Sequence, residues 1–151
     1  MPTLPATPLA PLLTTPAIDS LLHAERIAAS IHEVLAAVPG TRRVLERRRE
    51  SRYPYPYPLH LTPLDADGLP DAERTFVVIG KHLSDRGLDF YCKNPLPHRR
   101  VVASLDGGAA GWIGLLLELA WCRFGRHGLY DNGGRFLALV RSPLLDLGRA
   151  A

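Results

Sequence analysis

Thr75-Phe76-Val77-Val78-Ile79-Gly80-Lys81, His82-Leu83-Ser84-Asp85-Arg86-Gly87 and Leu88-Asp89-Phe90-Tyr91-Cys92-Lys93 follow one another without a break. Runs rich in β-branched and aromatic residues stand on either side of a short polar piece, so residues 75–81 and 87–93 are expected as strands joined by a turn. Gly87 suits a sharp bend entering the second strand. Four further strands are expected at 59–63, 99–105, 112–124 and 134–140. Between them, Asp65-Ala66-Asp67-Gly68, Asp106-Gly107-Gly108 and Asp131-Asn132-Gly133-Gly134 offer Gly or Asn for tight reversals. A succession of hairpin-length strands reads as antiparallel, and six of them make a partly closed β-barrel.

Upstream the periodicity changes. Ile18, Leu21, Leu22, Ile27, Ile31, Val34, Leu35 and Val38 recur at helical spacing, with Asp19 or Ser20 as cap and Pro39-Gly40 as stop. An amphipathic helix is expected over 17–38, its apolar stripe buried on the barrel wall or against the same helix of a second chain. The barrel wall is the favoured partner, and a homodimer through this helix is the alternative. Tyr53-Pro54-Tyr55-Pro56-Tyr57-Pro58 is expected as a stiff extended connector, because alternate residues lack an N–H and each residue before a proline is extended. Its three tyrosines project to one side and are expected to cover the barrel, with base stacking as the second reading.

The chain has 151 residues, enough for one core with tails. Residues 1–16 are expected as a disordered, proline-punctuated lead-in, 17–40 as the helix with its stop, 41–140 as the barrel with its arginine-rich linker, and 141–151 as a C-terminal tail. The formal charge is +3, yet residues 41–52 alone hold six Arg and two Glu, a local +4. Such concentrated basicity suits a small anion better than a long polyanion, so nucleic acid is the less favoured partner. Cys92 and Cys122 form no CxxC or Cys/His cluster, the histidines show no metal-ligand spacing, and neither zinc nor a disulfide framework is indicated. With no signal-peptide pattern and no apolar run long enough to span a bilayer, a cytoplasmic location is expected.

Arg48 and Arg52 are spaced as RxxxR, and Ser84 and Gly87 as SxxG at the start of a strand. In this order, with Trp121 in the long strand and Gly134-Arg135-Phe136 near the end, they resemble PilZ domains, small β-barrels that bind cyclic di-GMP through RxxxR and a later D/N-x-S-x-x-G motif. The resemblance runs over roughly residues 43–139. It implies that Arg48 and Arg52 bind phosphate and the guanine Hoogsteen edge, that Arg47 or Arg49 stacks on a base, and that Ser84 donates its hydroxyl. Gly87 would let the ligand come close. The chemistry agrees: guanine O6 and N7 accept the two-pronged donor that a guanidinium offers and an ammonium does not. His82 stands where the family usually has Asp or Asn, and imidazole has at most one acceptor nitrogen. Binding through His82 is therefore expected to be weaker, shifted to stacking, or pH-dependent.

The expected function is that of a cyclic di-GMP receptor, without cofactor or metal, that couples this ligand to an unidentified protein partner by moving the arginine linker and the helix. Two rivals stay open: a degenerate PilZ-like interaction module that binds no nucleotide, and a small barrel that binds single-stranded RNA through its arginines and tyrosines. An enzyme is not expected. His82, Ser84 and Asp85 are neighbours on one strand-turn, no GxSxG elbow is present, and neither a Walker lysine motif nor GxGxxG occurs.

Overall fold

In a computed structural model, which describes residues 16–38 and 52–145 and the side chains of the helix from Leu22 onward, the β-branched and aromatic runs pair as the turn chemistry requires. The elements are α1 (Pro16–Ala36), β1 (Tyr53–Pro54), β2 (Pro58–Pro63), β3 (Phe76–Leu83), β4 (Gly87–Cys92), β5 (Arg100–Asp106), β6 (Trp112–Phe124) and β7 (Tyr130–Val140). The sheet order is β1-β3-β2-β5-β6-β7-β4, every pairing is antiparallel, and β4 also pairs with β3. That last pairing closes β2 to β7 into a six-stranded barrel, so the fold is mainly β with one N-terminal helix. Closure leaves no free edges where all six strands meet.

The two-residue β1 runs on toward β2 along the same edge of β3, pairing Tyr53 with Leu83, after which Tyr55 N–H donates to the Lys81 carbonyl. The Tyr-Pro repeat thus pairs through its tyrosines, Tyr55 by its N–H and Tyr57 by its carbonyl, which accepts the Gly80 N–H at 2.9 Å. Tyr53 and Tyr55 are buried in the core and Tyr57 lies at the surface, so two of the three tyrosines cover the barrel.

Phe90, Leu59, Leu61, Leu105, Leu115 and Leu117 fill the interior. Ile27, Ile31, Val34 and Leu35 of α1 join the same core, so this part of the helical stripe is satisfied within the chain by the barrel. Pro16 opens α1, where a missing N–H costs no helical bond. The helix packs against β6, β7 and the short turn Gly108–Ala110 between β5 and β6. No helix among the described residues is long and apolar enough to cross a membrane.

Two expected reversals are found, with Gly68 and Gly108 at positive φ. The third is not. Asn132, Gly133 and Gly134 lie inside β7, paired on both sides, and the chain reverses at residues 125–129 instead. The two glycines serve space rather than torsion: a Cβ on Gly133 would run into the Trp121 ring, and one on Gly134 would meet the Glu118 carbonyl at 2.5 Å. An irregularity in β6 between Leu119 and Trp121 accompanies this close packing.

Candidate functional site

The β3–β4 turn is held by one hydroxyl. Ser84 Oγ accepts from the N–H groups of Arg86 (3.1 Å) and Gly87 (3.0 Å), and the Ser84 N–H donates to the Gly87 carbonyl at 2.9 Å. Serine side chains close local turns of this kind. The Arg86 carbonyl in turn accepts the Phe136 N–H at 2.7 Å, which fastens the turn to β7. Gly87 has no positive φ; it is needed because a Cβ there would collide with the Gly134 carbonyl. The sharp bend expected at Gly87 is therefore a close approach of two strands.

A pocket of about 230 Å³ opens beside this turn, lined by Arg52, His82, Ser84, Gly87 and Gly134, with Arg86, Asp89 and Arg135 supplying further charge. Four of the residues singled out by the motifs, Arg52, His82, Ser84 and Gly87, are brought together across β3, β4 and the approach to β1. The other three, Arg47, Arg48 and Arg49, lie outside the described residues. Three arginines and one aspartate give the pocket a formal charge of +2 with His82 neutral.

Asp89 and Arg86 were not singled out by the motifs, and Arg135 was quoted only for the closing strand and not for the site. Asp89 pairs with His82 across the β3–β4 ladder and binds the Arg52 guanidinium through Oδ2. Arg52 Nη2 also lies 3.1 Å from His82 Nδ1, and His82 Nδ1 lies 3.4 Å from Asp89 Oδ2. A carboxylate thus sits beside position 82 even though position 82 itself is histidine. It comes from the neighbouring strand, where only the ladder register reveals it.

Arg135 is fixed from behind. Glu118 on β6 accepts from Arg135 through Oε1 (3.0 and 3.1 Å) and from Arg100 through Oε2 (3.2 and 3.3 Å). These hydrogen bonds, Arg135 first and Arg100 next, hold the Glu118 carboxyl below the usual glutamate range. The result is a forked cation anchored at the pocket rim.

Ser84 and His82 are not assembled as nucleophile and base, since the hydroxyl is engaged with its own turn while the imidazole lies against Arg52 and Asp89. Among the described residues no group of three or more His, Cys, Asp or Glu is placed to hold a metal ion. Fold and site together define a small antiparallel barrel with a cationic, guanidinium-lined pocket at a strand turn.

No family model and no curated protein matches the sequence. Solved structures similar to this chain include the Bacillus subtilis inhibitor of motility MotI/DgrA, at 11% identity and a TM-score of 0.46, over 69% of this chain and 49% of that one. The PilZ domain of Escherichia coli YcgR with c-di-GMP is similar at 19% identity and a TM-score of 0.42, over 68% and 85%. Klebsiella pneumoniae MrkH in its apo state is similar at 16% and 0.41, over 70% and 55%. The chain spans about half the length of the MotI/DgrA and MrkH chains. These are similarities of overall fold.

Proposed function

We propose that this protein is a PilZ-like receptor for cyclic di-GMP. The observation that carries the reading is the convergence of Arg52, His82, Ser84 and Gly87 on one cationic pocket, although they are spread over 36 positions from 52 to 87. Arg52, Arg86 and Arg135 offer guanidinium forks to a phosphodiester and to the O6/N7 edge of a guanine. Arg48, four residues before Arg52, supplies the second arginine of the RxxxR pair, with Arg47 and Arg49 available to stack on a base. Gly87 lets β4 approach the Gly134 carbonyl at the pocket wall. Ser84 shapes the turn, and its hydroxyl reaches a phosphate only by exchanging its 3.3 Å contact to the Gly87 carbonyl.

The output of such a receptor is a protein contact controlled by residues 39–51, which connect α1 to the pocket. Detaching α1 as a whole would expose Ile27, Ile31, Val34 and Leu35, at a cost of about 6–12 kcal/mol. That rivals the full binding free energy of a micromolar ligand, about 8 kcal/mol. The signal is therefore a rearrangement of the arginine segment, with the helix remaining docked and its exposed face available to a partner.

Calorimetry with cyclic di-GMP on the full chain, with the double variant Arg48→Ala/Arg52→Ala alongside, tests the reading. Saturable binding that drops at least about 100-fold in the variant is expected, at two charge-assisted contacts of about 1.5 kcal/mol each. No binding by the folded wild-type protein would sink it. The remaining reading would then be an interaction module without nucleotide, consistent with Asp89 occupying Arg52 and the turn occupying Ser84.

A further inference from the structure

Another pocket, of about 370 Å³, lies at the C-terminal end of α1, and Arg52, Ser84 and Gly87 are not among the residues that line it. Val38, Tyr55, Tyr57, His60, Asp106 and Trp112 form most of its wall, and among the described residues no lysine or arginine lines it. Tyr55 and Tyr57 meet edge to face with ring centroids 5.2 Å apart, as do His60 and Trp112. Asp106, opposite Trp112 in the β5–β6 ladder, accepts the Gly108 N–H through Oδ1 at 2.9 Å and makes no salt bridge among the described residues. Its second carboxylate oxygen accepts from no donor among the described residues.

Three sources of negative potential coincide here: π-faces, a carboxylate without a salt bridge among the described residues, and the C-terminal end of a helix whose last turn holds no basic residue. The Tyr55 phenol registers the same environment, pushed up to about 12 by burial, then by the charge of Asp106 and by Tyr57. Such a wall, unlike that of the cationic pocket beside the β3–β4 turn, selects a cation. We propose that it is an aromatic cation site that receives the guanidinium of an exposed arginine on a protein partner. A guanidinium is planar, weakly hydrated and stacks on aromatic faces while donating to a carboxylate, so it uses every feature of the wall. The inference does not depend on what fills the cationic pocket.

The indole N–H resonance of Trp112 reports the site, and that of Trp121 serves as internal reference. Arginine amide and its neutral isostere citrulline amide are titrated into the full chain and into an Arg42→Gln/Arg43→Gln variant, which lacks the first two arginines beyond Val38. A saturable shift confined to Trp112 is expected with arginine amide, with citrulline amide at least about tenfold weaker. Asp106→Asn keeps the acceptor for Gly108 and is expected to weaken arginine amide at least about threefold. No Trp112 shift in either protein, an equal response to citrulline amide, or an equal shift of Trp121 overturns the site. A shift seen only in the Arg42→Gln/Arg43→Gln variant overturns the partner as occupant and assigns the site to the chain's own arginines.

Discussion

Asp89 faces His82 across the β3–β4 ladder, its Oδ2 3.4 Å from the imidazole Nδ1 while also bound to the guanidinium of Arg52. The acidic group that the motif lacks at position 82 is thus present one strand away. Placing Asp at position 82 would set two carboxylates opposite each other, and like charges in such a pair destabilise a sheet. His82→Asp is expected to lower stability by about 0.5–1 kcal/mol, whereas His82→Asn, uncharged and able to accept from a guanine N–H, leaves stability unchanged. Thermal melts of the two variants at neutral pH check this. Equal stability would mean that the carboxylates do not interact.

Arg52 donates through Nη2 to Asp89 Oδ2 at the wall of the pocket. Asp89 then orients the fork rather than blocking it, since a tethered guanidinium loses less freedom on binding. Asp89→Ala is expected to weaken cyclic di-GMP binding about tenfold, an effect of about 1.4 kcal/mol. Tighter binding in this variant would instead identify Asp89 as a competitor that the ligand must displace. Calorimetry distinguishes the two by sign alone.

Glu118 supplies a pH-dependent clamp between β5, β6 and β7. Its carboxyl is held below the ordinary value of 4.5 by Arg135 and Arg100. The stabilisation is therefore fully present above pH 4.5 and is lost as the pH falls through the lowered value of the folded state. Glu118→Gln is expected to melt below the wild type at pH 7, with the difference shrinking to nothing under strong acid. The side chains of Arg100 and Arg135 are largely exposed, so the difference is also expected to shrink in high salt. A gap in melting temperature that does not change with pH would exclude ionisation as its origin.

The hairpin at residues 75–93 was legible because strand-forming runs and turn chemistry point the same way there. So was α1, whose apolar spacing and Pro39-Gly40 stop leave little ambiguity. The misreading of Asp131-Asn132-Gly133-Gly134 as a turn has a physical origin: a glycine needed for φ and a glycine needed for space look alike in a sequence. Only the pairing of β6 with β7 shows Trp121 and Glu118 claiming the room that side chains at 133 and 134 would fill. In the site, motif spacing located Arg52, Ser84 and Gly87, which lie on or beside a single hairpin. Asp89 and Arg135 escaped because their place at the pocket follows from cross-strand register, which no local pattern encodes.

Two of the glycines required for space, Gly87 and Gly133, differ in what surrounds them, and substitution separates them. At Gly87 a Cβ would strike the Gly134 carbonyl, part of a strand paired on both sides, so relief requires the β4–β7 ladder to part. At Gly133 the obstacle is the ring of Trp121, which is 37% exposed and free to swing outward, at the cost of its contact with Arg123, 4.8 Å from the ring centroid. Gly87→Ala is therefore expected to cost about 2–3 kcal/mol. Gly133→Ala is expected to cost about 1 kcal/mol, within the range of a lost exposed cation–π contact and a small rearrangement. Chemical denaturation measures both, and the Trp121 indole resonance should move in Gly133→Ala alone. If Gly133→Ala proved the more damaging, the Trp121 ring would have to be part of the rigid barrel wall rather than a movable cover.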